Sequence, residues 1–257
     1  MGEPKKLSKS TLSVIIIVKN EEHDIRACLE SVSWADEIIV LDSGSEDNTL
    51  SIAKEFTGKI YTSADWKGFG VQKNRALGYA TCDWVLSLDA DERVSDDLRQ
   101  EISNAILSEK LVTYKLPRLS SFCGKYMRHS GWWPDYVTRL FKRGEASFSN
   151  DLVHERLIFQ GEATKFNAPL LHVTYKDLDE VISKINHYSA LGARNSFQKG
   201  QRGSLIAAIT HGIWAFIRTY LLRAGFLDGA EGLMLAVSNA EVTYYRYLKL
   251  SYLSNLD

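Results

Sequence analysis

Residues 84–92 read WVLSLDADE. Trp84 to Leu88 is an apolar run broken only by Ser87, and Asp89, Asp91 and Glu92 follow within four positions. A short, nearly continuous apolar run fits a strand buried on both faces of a parallel sheet. Carboxylates crowded at the end of such a strand repel one another and resist desolvation, so the stretch asks for a cation. Upstream, LSVIIIV (12–18) and EIIVL (37–41) have the same buried-strand character, and 59–62 is a shorter one. Between them the apolar period is helical: Ile25, Cys28, Leu29 and Val32 over 24–32, then segments 48–56 and 71–80. After the acidic cluster, Ser95 opens a helix with Leu98, Ile102 and Ile106 on one face. Strand and helix alternate four times before residue 110, which predicts a doubly wound α/β fold, a mostly parallel sheet flanked by helices.

The pattern changes after Leu111. VTYKLPRL, YVTRLFKR and PLLHVTY are strand-like and predict a mixed-sheet extension over 113–175. From Leu178 the chain is helical, with Leu178, Val181, Ile182 and Ile185, then Leu205, Ile209, Ile213, Phe216 and Tyr220, at helical spacing. Asp228 with Glu231 three residues on predicts a capping box opening a last helix to about Leu250. The expected organisation is one domain over 1–175, with halves 11–110 and 111–175, followed by a helical region over 176–257. The stretch SLIAAITHGIWAFIRTYLLRAGF (204–226) is interrupted by His211 and Arg218 and so falls short of the roughly 20 apolar residues of a spanning helix. It suits an amphipathic helix at a membrane interface, with Trp214 and Arg218 at headgroup depth; the plainer alternative is packing on the main domain or at a dimer interface.

The 257 residues are 45 % hydrophobic and 25 % charged, ordinary for a globular chain, and the net charge of −1 argues against bulk nucleic-acid binding. Residues 1–110 carry 13 Lys/Arg against 20 Asp/Glu, and the remainder 18 against 12. An acidic first part suits metal or nucleotide chemistry, and a basic second part an anionic partner or lipid surface. Cys28, Cys82 and Cys123 stand apart without a CxxC pair, which argues against a disulfide framework. The apolar run behind MGEPKKLSKS is too short for a signal-peptide core, so it is read as a strand and the protein as cytoplasmic.

In open α/β sheets ligands bind outside the carboxyl ends of the strands. Four polar clusters fall there: Lys19-Asn20-Glu21-Glu22, Asp42-Ser43-Gly44-Ser45, the Gly68–Arg75 loop, and Asp89-Ala90-Asp91-Glu92. An oxygen-rich rim of this kind suits Mg²⁺ or Mn²⁺ bound through one or two carboxylates and substrate phosphates. Other chemistries fit less well. GFGVQKN lacks the third glycine of a dinucleotide fingerprint, and neither a Walker A motif nor HExxH occurs. A sugar nucleotidyltransferase would carry a Gly-rich basic loop after the first strand, where this chain has VKNEE.

The ordered set SVIIIVKNEE, IIVLDSGSEDNT and GFGVQKNRALGYATCDWVLSLDADE resembles the family 2 glycosyltransferases of GT-A fold, over residues 11–110. GWWPDYVTRLFKR and NDLVHERL, with the helical C-terminus, resemble a narrower group, the lipopolysaccharide inner-core β-glucosyltransferases of WaaE/KdtX type. The resemblance implies that Glu21 holds the uridine, Asp42 the uracil ring, Lys73 the nucleotide, and that Asp89 and Asp91 form a DxD pair. Asp91 is expected on the metal and Asp89 on ribose or metal. Lys73 stands where the usual pattern is Arg-Asn. The implied reaction is inverting transfer from a UDP-sugar, most simply UDP-glucose, to a heptose of a lipid-linked core oligosaccharide at the cytoplasmic face of the inner membrane.

Such a transfer needs a general base on the acceptor side. Glu155 (with His154 beside it, where the family more often has an acidic pair), Asp135 and Asp151 are the candidates. Trp132 and Trp133, with Tyr136, flank Asp135 and offer faces for a sugar ring or, equally, for core packing. Arg139, Lys142 and Arg143 are cations for phosphate, but strand alternation puts Arg139 and Arg143 on the face opposite Lys142. A non-catalytic sugar-nucleotide or membrane-binding scaffold remains the alternative of another class.

Overall fold

A computed structural model describes residues 10–108, 112–150 and 155–255 of the chain. In order the elements are β1 (Leu12–Val18), α1 (Ile25–Ser31), β2 (Glu37–Asp42), α2 (Thr49–Ala53), β3 (Ile60–Thr62), α3 (Phe69–Gly78) and β4 (Trp84–Asp89). There follow β5 (Glu92–Val94), α4 (Asp96–Ser108), β6 (Thr113–Phe122), β7 (Lys125–Tyr126), β8 (Asp135–Lys142), β9 (Ala146–Phe148), β10 (Leu157–Phe159), β11 (Thr164–Lys165) and β12 (Leu170–Tyr175). Helices α5 (Leu178–Gln198), α6 (Leu205–Ile217) and α7 (Gly229–Ser254) complete the chain. It forms two compact units. One comprises the residues up to Arg118 together with Tyr136–His172, the other Leu119–Asp135 together with the residues from Val173 onward. Segment 119–135, which the sequence reading places with the first region, is thus grouped with the C-terminal helices.

The main sheet runs β3-β2-β1-β4-β8-β6-β12-β5. Strands β1 to β4 are parallel, while β8 is antiparallel to β4 and β12 to β5, the mixed extension expected from sequence. Strand periodicity divides the apolar residues between two faces. Leu12, Val14, Ile16, Val40, Leu86 and Leu88 pack with Ile25, Cys28 and Leu29 of α1 and Leu98 and Ile102 of α4. Ile15, Ile39, Leu41, Val85 and Phe141 pack with Ala76 of α3 and Phe148. Each buried aliphatic side chain contributes roughly 1.5–3 kcal/mol, and a one-residue slip would exchange the two faces. Register is therefore fixed, and it sets Asp42 beside Val18 and Asp89 beside Ile17, so the ends of β2, β1 and β4 are level.

At the opposite end of the sheet Glu37 is 6 % exposed. Its carboxylate accepts from Ser13, from Lys59, and from the backbone and hydroxyl of Thr81 (2.9 and 2.8 Å). Burial alone would push this carboxyl up, but Lys59 and the hydroxyl and amide donors outweigh it and hold it at about 2. The folded value lies below the ordinary one near 4.3, so the stabilisation is complete above that value and is lost as pH falls toward 2. Glu37→Gln is expected to cost on the order of 2–3 kcal/mol at neutral pH. The gap should close in urea titrations carried down toward pH 2; a gap independent of pH would refute this account.

In the second unit Phe122, Met127, Val181, Ile185 and Leu235 form a core with Trp132 and Tyr175 against it. The expected capping box at Asp228 does not form: the Asp228 side chain caps nothing on α7. It is buried and accepts instead from the backbone N–H of Arg128 and His129 (3.1 and 3.0 Å) and from the Ser130 hydroxyl (3.0 Å). Glu231 pairs with Lys125 at 3.1 Å. Two backbone N–H groups and a hydroxyl converging on one buried carboxylate compete better for it than one helix terminus does. Helix α6 runs on through a π turn at Arg218–Leu222. Leu205–Leu222 is long and apolar enough to cross a membrane by length and composition alone, longer than its reading as a run stopped at His211 and Arg218, and 22 % of it is buried.

Candidate active site

The four rim clusters of the first unit meet at the carboxyl ends of β1, β2 and β4. The Lys19–Glu22 and Asp42–Thr49 loops are laced together. Glu46 donates its N–H to Asn20 Oδ1 (2.8 Å), Glu22 to Asp47 (3.1 Å), and Glu21 to the Thr49 hydroxyl (2.7 Å). Asp42 is 1 % exposed, and its oxygens accept from the N–H of Gly44 and Ser45, both at 3.0 Å. Gly44, at φ 93, supplies the left-handed turn this requires. Beside these loops lies a cavity of about 490 Å³ lined by Val18, Lys19, Asn20, Glu21, Ser43, Trp66 and Phe69. Trp66 and Phe69 meet edge to face at 4.8 Å and remain half exposed. Glu21 reaches this cavity, whereas Asp42 shapes the turn behind it.

The sequence QKNR of α3 sends each side chain to a different partner. Gln72 donates to the Ser43 hydroxyl (2.9 Å) and the Ser63 carbonyl (2.8 Å). Asn74 exchanges two 2.8 Å hydrogen bonds with the backbone of Phe148. Arg75 binds Asp65 at 2.8 Å and so fixes the loop that carries Trp66. Lys73, 2 % exposed, bridges Asp89 Oδ1 at 2.9 Å and Glu155 Oε1 at 2.8 Å. Gly70 is required where α3 crosses the Ser149 carbonyl, since a Cβ there would collide with it.

Asp89 stands at the end of β4 between two cations, with Lys73 on Oδ1 and Arg139 on Oδ2. Arg139 also donates to Glu92 Oε1 at 2.6 Å, and Glu92 Oε2 accepts from the Asp89 N–H at 3.0 Å. Arg118 lies 3.7 Å from the same carboxylate. Burial works against the charged Asp89, but Arg139 and then Lys73 overcome it and hold the carboxyl well below the usual range. Glu92, with no exposed surface, goes the other way: burial pushes it up, Arg139 only partly offsets this, and Asp89 adds to the rise. Burial would lower Arg139, but Asp89 and Glu92 together raise it further, so it stays charged.

Asp91 faces another residue, with Oδ2 3.2 Å from His172 Nε2 on β12. The Asp91 side chain is about one-third exposed, and a carboxylate oxygen and an imidazole nitrogen this close are suitable donors to share one divalent cation. Among the described residues no group of three or more His, Cys, Asp or Glu is placed to hold a metal. The pair therefore fits an ion completed by phosphate and water, as is usual for Mg²⁺ and Mn²⁺. A larger cavity of about 870 Å³ opens beside Asp89, lined among others by Lys73, Lys115, Arg118, Arg139, Glu155 and Arg156.

The remaining sequence candidates lie elsewhere or outside view. Trp84 pairs with Lys142, so Lys142 and Arg143 stand at the far end of β4 from Asp89. Asp135 opens β8 and belongs with Trp132 and Trp133 to the second unit. There Trp132 stacks on Tyr175 at 6.0 Å and Arg128 lies over Trp133. Asp151 and His154 lie outside the described residues. Sequence reasoning missed His172, Glu92 as the partner of Arg139, and the Asn74 clamp. Only His172 left a trace, as the one polar side chain in the apolar run LLHV.

The family model of Glycosyl transferase family 2 matches residues 13–161, which take in β1 through β10 and both cavities. The chain belongs to this family. An uncharacterized glycosyltransferase of Rickettsia bellii is 30 % identical over 259 residues, 95 % of this chain and 87 % of that one. The lipopolysaccharide core biosynthesis glycosyltransferase LpsC of Rhizobium meliloti is 28 % identical, covering 94 % of each. The crystal structure of glucosyl-3-phosphoglycerate synthase from Mycobacterium tuberculosis, with Mg²⁺ and UDP, is similar over 45 % of this chain and 44 % of that one, at 27 % identity and a TM-score of 0.36. In this glycosyltransferase the aromatic-walled cavity at β1 and the charged cavity at β4 lie on one rim of the sheet.

Proposed function

We propose that the chain is an inverting hexosyltransferase that moves glucose from UDP-glucose to a heptose of the lipopolysaccharide inner core. The observation that carries this reading is the cavity at the end of β4, where Asp89 and Glu155 share one buried lysine. The sequence resemblance supports the donor, and the similarity to the lipopolysaccharide core biosynthesis glycosyltransferase of Rhizobium supports a lipopolysaccharide-core acceptor. A lipid-linked acceptor puts the enzyme at the cytoplasmic face of the inner membrane.

The uridine fits the smaller cavity, its base against Trp66 and Phe69 and its ribose toward Glu21 and Ser43. Trp66→Ala is expected to weaken UDP binding about tenfold by calorimetry, and an unchanged affinity would place the nucleoside elsewhere. Asp91 and His172 would hold Mg²⁺ or Mn²⁺, with imidazole favouring the transition metal. When bound, the ion supplies positive charge for the departing diphosphate. Asp89, with both oxygens engaged by Lys73 and Arg139, orients those two cations rather than the metal.

Glu155 lines the larger cavity and is the general base. Its carboxylate takes the proton of the acceptor hydroxyl as that oxygen bonds to the anomeric carbon. The bond from the anomeric carbon to the diphosphate breaks on the opposite face, and UDP leaves with the electron pair. Lys73 holds Glu155 in place through its 2.8 Å contact. The test is a panel of UDP-sugars with Mg²⁺ or Mn²⁺ and core glycolipid, with product linkage read by NMR. Release of UDP together with an inverted glucoside supports the reading. Pyrophosphate released from UTP and sugar phosphate would make the protein a nucleotidyltransferase.

A further inference from the structure

Helix α6 is built inside out for a helix in water. The residues it buries are small: Ala208, Gly212, Ala215 and, in the π turn, Thr219. Gly212 sits so close to Tyr244 of α7 that even a methyl group would press on it at 3.3 Å. The large apolar side chains point out, with Ile206 74 %, Ile213 57 %, Trp214 53 % and Leu222 65 % exposed. Both stripes keep helical spacing, so neither is a packing accident. A solvated helix gains by burying isoleucine and leucine and exposing alanine. The reverse arrangement points to a second apolar phase on the outer side. Exposed Phe226 and Leu227 continue the patch beyond the π turn.

Charge identifies that phase. From Val181 to Leu227 the chain has no Asp or Glu, while it carries Lys184, which pairs with Glu180 at 2.7 Å, then Arg194, Lys199 and Arg202, and, at the π turn of α6 itself, Arg218 and Arg223. All 32 acidic residues of a chain with net charge −1 lie outside these 47 positions. We propose that the outer face of α6 and its π turn lies in the plane of an anionic membrane surface, apolar side chains in the acyl boundary and arginines at the phosphates. A second copy of the chain is a poorer occupant, because a two-fold contact through this face would set the exposed Arg218 and Arg223 against their own copies with no acid on α6 to answer them. A spanning mode fits poorly as well, because α7, on which the small-residue face packs, carries Glu231, Glu241, Arg246 and Lys249. The binding mode is interfacial.

The inference rests on the membrane placement proposed above only for its biological purpose. Its geometry belongs to the second unit, and it is tested without donor or acceptor, so loss of one reading leaves the other standing. The full chain is floated with vesicles of phosphatidylcholine alone and of phosphatidylcholine mixed with phosphatidylglycerol. Flotation with the mixed vesicles, reduced by salt and released by alkaline carbonate, is expected. Ile206→Glu/Ile213→Glu/Leu222→Glu should stay in the soluble fraction, and Arg218→Gln should bind about fivefold more weakly. Circular dichroism checks that the variants are folded, and Ile206→Ser/Leu222→Ser carries the same test if the triple variant is not. Equal flotation of wild type and variants, no flotation at all, or retention in carbonate would overturn the proposal. So would a dimer in light scattering that these substitutions dissociate, with no vesicle binding.

Discussion

Asp91→Ala is expected to lower glycosyl transfer roughly 10³-fold, the order of the charge stabilisation a bound divalent ion supplies to a leaving diphosphate. The variant should fold normally, because Asp91 is partly exposed and its carboxylate pairs with His172 at 3.2 Å rather than with a buried cation. His172→Ala should act through the same ion and raise the Mn²⁺ concentration for half-maximal activity about tenfold or more. Activity, metal titration and UDP affinity without metal separate the roles: the first two should change and the third should not. Transfer at the wild-type rate by Asp91→Ala would refute the metal site and, with it, the catalytic scheme.

The second large effect is on stability. Arg139 is 6 % exposed and serves two carboxylates, one of them fully buried. Removing one member of such a cluster leaves uncompensated buried charge, so Arg139→Met is expected to cost about 3–5 kcal/mol in urea unfolding. The cost should shrink when Glu92→Gln is added, because an amide needs no counter-charge. A coupling energy above about 1 kcal/mol in that double-mutant cycle is the expected sign of the pair. A single-mutant effect within 0.5 kcal/mol, the size of an ordinary surface change, would show that the cluster is not held as described.

The parts of the candidate site that were legible in the sequence were local ones. WVLSLDADE shows its strand by composition and its acids by proximity, and the structure places Asp89 at the end of β4. The division of labour inside that stretch was not legible. Glu92 reads as a helix-terminal acid beside the motif, yet it is fully buried and bonded to Arg139, 47 residues away. Lys73 reads as a nucleotide ligand, but its two carboxylate partners come from β4 and from position 155. Asp228 and Glu231 match a helix-start pattern, but the N–H groups of Arg128 and His129 take the Asp228 carboxylate.

By itself the sequence determined the alternation of strands and helices, the ends of the parallel strands and the acidic rim. Each of these rests on period, on composition or on spacing of a few residues along one strand or helix. Only the tertiary structure decided which charges meet. His172 comes to Asp91 through the antiparallel pairing of β12 with β5, which sets it opposite Glu92, 80 positions earlier in the chain. That pairing depends on long-range register and on the relative desolvation of competing partners. Neither quantity is carried by the residues flanking the motif.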